Sequence, residues 1–206
     1  MATVALSFAD APVRDFARGH RSPTTRAVSA GAKVLGDGRL VVPLSGLLWG
    51  LGAYREDSRL AGASVNALEA WALTQLVTQT GKYTLGRARP HRERGELAFT
   101  GFALRDDGFR SFPSGHSSTA WGILPAYAME YRDLPWLSAG LYALASATSL
   151  SRVHDDQHWL SDVVFSAGAG WLSNRAVRTW NGQDRATKAW IVPTGDGFAA
   201  SVRREF

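Results

Sequence analysis

The chain has 206 residues, enough to bury one sizeable core, and its 45 % hydrophobic against 20 % charged residues groups it with folded globular proteins. It contains no cysteine, which excludes disulfides and thiolate-held metals. The net charge of +5 favours anionic partners, phosphorylated substrates and anionic lipid surfaces among them.

Met1–Phe16 lacks a basic start and a long apolar run, so no secretory signal is read there. A periplasmic or extracytoplasmic site is expected only if such a signal has been removed. Residues 11–36 have helical spacing, and Gly36-Asp37-Gly38 breaks it. Leu40–Tyr54 is apolar and Gly-rich and predicts a buried helix. From Ser58 to about Thr80, Leu60, Ala63, Ala67, Ala70, Trp71 and Thr74 set out a longer helix with a small-residue face, which Gly81 is placed to end.

From Lys82 to Ser111 the apolar period disappears. This basic loop of about thirty residues carries Arg87, Arg89, Arg92, Arg94, Arg105 and Arg110, and loops so long in compact domains tend to carry function. Helical pattern returns at Ser117–Tyr131, Trp136–Ser151 and His158–Trp180. Trp190–Phe206 alternates about a Gly-containing turn and predicts a β-hairpin. The expected fold is all-α, a bundle of about six helices with a short C-terminal hairpin, in a single domain spanning residues 1–206. A spanning helix needs about 20 mostly apolar residues, and none of the uncharged stretches is both long and cleanly apolar. They are therefore expected to be core helices of a soluble or peripheral protein. Seven of the eight Trp residues fall in these helical patterns, and core packing is expected for them.

Three short motifs carry chemistry. Lys82 and Arg89-Pro90 stand seven residues apart at a helix exit; two helical turns would put both cations on one side, to grip phosphate oxygens. Alone, the motif also fits a solvated basic helix end. Pro113-Ser114-Gly115-His116 precedes a helix whose free N–H groups can receive an anion, while Ser114 or Ser117 caps the helix or donates to an oxyanion. Ser151-Arg152 precedes His158 and Asp162. At i,i+4 the Asp162 carboxylate can accept the His158 Nδ1–H, fixing the tautomer and leaving Nε2 as a nucleophile, and Arg152 can complete the anion site. His154, Asp155 and Asp156 are expected to form a water-facing entrance, and His91 and His20 to lie at the surface.

Taken in order, Lys82-x6-Arg89-Pro90, Pro113-Ser114-Gly115-His116 and Ser151-Arg152-x5-His158-x3-Asp162 resemble the signature of the type 2 phosphatidic acid phosphatase family. That superfamily also holds bacterial non-specific acid phosphatases and vanadium haloperoxidases. Every signature position is matched, over the motif core 82–162. The resemblance implies a helical bundle and a phosphatase without a metal or other cofactor. It also implies that Lys82, Arg89, Arg152, Ser114 and the Gly115 amide bind phosphate, that His158 forms a phosphohistidine oriented by Asp162, and that His116 protonates the leaving oxygen. The expected substrates are phosphate monoesters, with lipid phosphates such as phosphatidic acid or isoprenyl phosphates among them. Peripheral membrane contact and no nucleic-acid partner go with that expectation. The alternatives are a vanadium-dependent haloperoxidase and an anion- or lipid-binding module without turnover.

Overall fold

A computed structural model describes residues 7–103 and 106–182, together with the backbone of 187–194 and 197–204. Seven α-helices are found among them: α1 (Asp10–Gly19), α2 (Pro23–Ala32), α3 (Gly38–Tyr54), α4 (Ser58–Leu85), α5 (Gly115–Glu130), α6 (Pro135–His154) and α7 (Leu160–Trp180). A 3-10 turn, Lys33–Gly36, joins α2 to α3. The hairpin expected at Trp190–Phe206 falls where side chains lie outside the described residues. The backbone of Thr187–Thr194 pairs antiparallel with Gly197–Arg204.

The starts of the helices follow local chemistry. Ser22 caps α2 in a reciprocal capping box with Thr25, Asp37 caps α3, Asp57 caps α4 and Ser114 caps α5. Helix α4 does not stop at Gly81. It runs on to Leu85 and is capped by Gly86 at φ +61, where a Cβ would collide with the Gly101 carbonyl. Gly81 instead lets the helix lie against Pro113, since a Cβ there would come within 2.6 Å of the proline ring.

Helix α5 is central and packs on α4, α6 and α7. The interior contacts are made by small residues: Ala120 and Ala126 of α5 and Ala63, Ala67, Ala70 and Ala145 of its neighbours are fully buried. Small side chains let helix backbones approach, and hydroxyl pairs then bridge them, Thr78 Oγ1 to Ser118 Oγ at 2.7 Å and Ser117 Oγ to Ser149 Oγ at 2.7 Å. Pro125 has no N–H for the Trp121 carbonyl one turn earlier. The Asn174 side chain of α7 donates to that carbonyl at 3.0 Å and so fixes α7 on α5.

The large apolar side chains point elsewhere. Helix α3 buries Val41, Ser45 and Gly52, while Leu40, Leu44, Leu47 (71 % exposed) and Leu51 line its outer face. The expectation of a buried helix is corrected here: small residues take the inner contacts and leave the leucines outside. Trp136, Trp171 and Trp180 (91 % exposed) likewise depart from the expected core packing, whereas Trp159 is buried. Leu40, Leu44, Leu47 and Leu51 recur at helical spacing and so form one exposed apolar stripe along α3. Among the described residues no single helix is long and apolar enough to cross a membrane. One pair, Pro23–Gly36 with Gly38–Tyr54, has the length and composition but is bent by 52°.

Candidate active site

The three motifs converge at one end of the bundle. Lys82 lies on the last turn of α4, and Arg89 follows in extended backbone beyond the Gly86 cap. The two cations therefore do not share a helix face, as their spacing suggested; the chain turns at Gly86 and brings Arg89 back. Ser114, Gly115 and His116 form the N-terminus of α5, Arg152 ends α6, and His158 stands two residues before α7.

The cations are held by fixed acceptors. Lys82 Nζ donates to the Arg110 carbonyl at 2.7 Å. Burial, with the charge of Arg89, pushes its pKa down to about 8. Arg89 donates to the Asp107 carbonyl at 3.0 Å and to Gln157 Oε1 at 2.7 Å, and pairs with the Asp107 carboxylate at 2.8 Å. Arg152 donates through Nη1 to Asp155 at 3.1 Å, while its buried Nε has no partner among the described residues. Burial lowers the Arg152 pKa; Asp155 opposes this and Arg89 adds to it. The Ser114 N–H donates to Ser166 Oγ at 2.9 Å, which commits that amide and pins the helix start to α7.

His158 is 4 % exposed, and its Nδ1 lies 2.6 Å from the Ser111 carbonyl. A carbonyl only accepts, so Nδ1 carries the proton and Nε2 presents its lone pair. The tautomer is the one the sequence suggested, but its main fixing group is different. Because His158 precedes α7, the helical i,i+4 contact does not form as a hydrogen bond, and Asp162 Oδ2 sits 3.7 Å from Nδ1. Burial pushes the His158 pKa down to about 3; Asp162 opposes that, and Lys82 and Arg89 reinforce it.

Asp162 is fully buried and heavily subscribed. Its carboxylate accepts from the Ser111 hydroxyl at 2.5 Å, the Trp159 N–H at 2.9 Å and Arg87 Nη1 at 2.5 Å. Burial alone would raise its pKa. His158, Arg87 and Ser111 together outweigh that and bring it below the ordinary carboxylate range. Arg87, itself 2 % exposed, reaches in the other direction to Asp10 of α1 at 2.7 Å. Asp10 in turn accepts the Ser161 N–H at 2.8 Å and hydroxyl at 2.6 Å. Two buried carboxylates thus flank one buried guanidinium directly behind His158. Arg87, Ser111, Asp10 and Ser161 were not read from the sequence as site residues. The available signal was Arg87 inside the Lys82–Arg89 motif, where i and i+2 share a face in extended chain.

His116 lies in the first turn of α5, with Arg152, Asp37, Lys82 and Lys33 as its charged neighbours. Its backbone packs on Gly36, where a Cβ would lie 2.7 Å from the His116 Cβ. Its ring has no hydrogen bond among the described residues. Burial, then Arg152, Lys82 and Lys33, push its pKa down to about 4 against the pull of Asp37. It lines a cavity of about 620 Å³ bounded by the Gly36–Arg39 turn, Val42 and Pro43 of α3, Trp71 and Gln75 of α4, and Gly115 and Thr119 of α5.

The segment 154–156 does not form the expected water-facing entrance. Asp156 is buried against Arg14 of α1 at 2.7 Å, Asp155 accepts from Ser29 of α2 at 2.7 Å, and His154 meets Thr25 at 3.1 Å. These polar side chains clamp the N-terminal helices onto the site. His91 is exposed, with Nδ1 3.2 Å from the Asp156 carbonyl, and His20 is exposed as well. Among the described residues no group of three or more His, Asp or Glu is arranged to hold a metal ion.

Comparison with known proteins bears on the fold and the family. A segment of 102 residues, 49 % of the chain, is 36 % identical to a lipid A 1-phosphatase of Porphyromonas gingivalis, of which it covers 20 %. A second lipid A 1-phosphatase, from Rhizobium etli, is 36 % identical over 95 residues, covering 45 % of the chain and 39 % of that protein. The matched segment thus spans less than half the length of these curated relatives. The fold is similar to the first transmembrane PAP2 type phosphatidylglycerolphosphate phosphatase from Bacillus subtilis, with TM-score 0.69, 23 % identity and 87 % of each chain covered. It is also similar to LpxE of Aquifex aeolicus, with TM-score 0.66, 19 % identity, and 82 % of this chain and 94 % of that one covered. The family model of the PAP2 superfamily matches residues 63–186, more than half of the chain and all three motifs, and the chain belongs to that superfamily.

Proposed function

We propose that the chain is a phosphatase that hydrolyses lipid phosphate monoesters through a phosphohistidine on His158. The observation that carries this reading is the His158 ring itself. The Ser111 carbonyl holds the Nδ1 proton, and Nε2 is left bare beside Lys82 and Arg89. Burial keeps that ring neutral, as a nucleophile must be.

In the first step Nε2 attacks phosphorus in line and the P–O bond to the leaving group breaks. Lys82, Arg89, Arg152, Ser114 and the Gly115 amide hold the phosphoryl oxygens, and Arg152 Nε is a donor still in want of an acceptor. His116 gives its proton to the leaving oxygen. In the empty site the ring is neutral above about pH 4. A bound phosphate dianion offsets the cations that depress it, so His116 gains its proton as substrate binds. In the second step neutral His116 takes a proton from water, the water oxygen attacks phosphorus, and the N–P bond breaks. Asp162 acts through its tie to Ser111 and its charge near Nδ1, steadying the imidazole as positive charge develops.

Lipid substrates are supported by two observations. The curated relatives are named for lipid A, and the solved neighbour for phosphatidylglycerolphosphate. The exposed leucine face of α3 gives the chain an apolar surface with which to associate with a bilayer. The test is phosphate release from phosphatidic acid, phosphatidylglycerophosphate, farnesyl phosphate and p-nitrophenyl phosphate in mixed micelles. Release is expected to survive EDTA and to be inhibited competitively by vanadate. Release that needs a divalent ion, or none from any lipid, overturns the reading.

A further inference from the structure

Helix α1 is remote from the motifs in sequence, yet one of its faces reaches the segment that carries His158. Asp10 and Arg14 stand four residues apart and so share that face. Arg14 binds the Asp156 carboxylate through Nε at 2.7 Å and Nη2 at 3.1 Å, and its guanidinium lies 5.5 Å from the centre of the Trp159 ring. Asp156 is held at φ +60, a left-handed conformation that a residue other than glycine adopts at a cost. Arg14 thus fixes the chain just before His158, and Asp10, through Ser161, fixes it just after.

Asp10 is fully buried, and its carboxylate accepts from Arg87 Nη2 at 2.7 Å, from the Ser161 N–H at 2.8 Å and from the Ser161 hydroxyl at 2.6 Å. The Ser161 N–H belongs to the first turn of α7, where amides lack partners within the helix, so a carboxylate from α1 caps the helix that follows His158. The charges add to these ties. Arg87 donates through Nη1 to Asp162 and through Nη2 to Asp10. By themselves Asp162 and Arg87 would cancel. With Asp10, two carboxylates share one guanidinium, and the cluster holds one negative charge in excess behind His158, with Asp162 Oδ2 3.7 Å from Nδ1. When Nε2 bonds to phosphorus and the P–O bond to the leaving group breaks, the ring keeps its Nδ1 proton and becomes positive. An excess negative charge behind the ring favours that change. It does little for a phosphate held without a bond to Nε2.

We propose that Asp10 is a positioning residue for phosphoryl transfer: it occupies Arg87, so that the charge of Asp162 remains available to the His158 ring, and it anchors the start of α7. The proposal rests on the phosphohistidine reading given above.

The test is Asp10→Asn, which keeps the shape and can still accept from Ser161 but carries no charge. Three quantities are measured: kcat/KM for p-nitrophenyl phosphate and the inhibition constants of vanadate and of inorganic phosphate. Vanadate adopts the five-coordinate geometry of phosphorus under attack, whereas phosphate reports ground-state binding. The variant is expected to lose about tenfold in kcat/KM and to bind vanadate about tenfold more weakly, with phosphate binding within about twofold of the native chain. A merely structural role would lower the rate because fewer molecules are active, and would leave the ratio of the two inhibition constants unchanged; that result overturns the proposal. Ser161→Ala removes the hydroxyl that bridges Arg87 and Asp10 but keeps all three charges. It is expected to lower stability and to hold the vanadate-to-phosphate ratio within about threefold of native. A loss in Ser161→Ala equal to that in Asp10→Asn assigns the effect to packing and also overturns the proposal. Asp10→Ser, likewise polar and uncharged, is judged by the same outcomes if Asp10→Asn does not fold. A native chain that releases no phosphate from p-nitrophenyl phosphate or from any lipid ester removes the phosphatase reading, and this proposal with it.

Discussion

The two histidines sit on walls built in opposite ways. Behind His158 every polar group is engaged: a carbonyl on Nδ1, then Asp162, Arg87, Asp10 and Ser161 in an interlocked set. Beside His116 the ring has no hydrogen bond among the described residues and the wall opens into a groove lined by Asp37, Gln75 and Thr119. A nucleophile must keep one tautomer and one direction, which a closed network provides. A group that takes up and releases protons must sense what arrives, which an open, weakly tied position allows. The contrast also separates what is fixed by the protein from what is left for the substrate to complete.

The sharpest way to break the comparison is to remove each ring in turn. His158→Ala is expected to abolish turnover of every phosphate ester, because no leaving group replaces a missing nucleophile. His116→Ala is expected to slow release from an alkyl phosphate by about 100- to 10,000-fold, the usual worth of a general acid. It should slow p-nitrophenyl phosphate far less, because nitrophenolate departs without a proton. Single-turnover bursts of leaving group read the first step alone. Equal burst losses for the two substrates would remove His116 from the acid role.

The closed wall can be opened from behind. Arg87→Met leaves Asp10 and Asp162 buried without their shared counter-charge, and losing one partner of a buried ion pair costs about 3–5 kcal/mol. Unfolding in urea should show a deficit of that order at neutral pH. The pH dependence fixes the cause. In the native chain Asp162 has a depressed pKa, so it contributes stability above the ordinary carboxylate range that is lost as pH falls. Without Arg87 the Asp162 carboxylate loses a charge that holds its pKa down, so the deficit should shrink as pH falls. A deficit independent of pH would mean that lost packing is responsible and the charge cluster is not.

The smallest expected effect lies between the walls, at Lys82. With its pKa lowered to about 8, the ammonium is charged below that pH and neutral above it. Phosphate binding should weaken severalfold as pH rises through 8, seen as a rising KM. Lys82→Arg, whose charge persists, should carry low KM to higher pH. A KM flat across this range in the native chain would exclude Lys82 from phosphate binding.

Much of this site was legible before any fold was known. Lys82, Arg89, Ser114, Gly115, His116, Arg152, His158 and Asp162 all come to one end of the bundle, and the all-α architecture follows from helical periodicity and caps. The faces of the helices were less legible. Leu40, Leu44 and Leu47 repeat at helical spacing, which marks a stripe but does not say whether protein or lipid covers it. His154, Asp155 and Asp156 looked solvent-facing because they are charged, yet Arg14, Ser29 and Thr25 were waiting for them on α1 and α2.

Sequence alone singled out the candidate groups, because residue type sets charge, donor count and nucleophilicity, and because the short spacings keep each motif at a helix end. Tertiary structure alone decided what each group is tied to. The Ser111 carbonyl lies 47 residues from His158 and Asp10 lies 151 from Ser161, and no local period encodes either pairing. Burial did the rest: once Asp162 and Asp10 are out of water they must share Arg87, and once His158 is out of water it stays neutral. Those are properties of a location inside a packed fold, and a linear pattern of residues does not contain them.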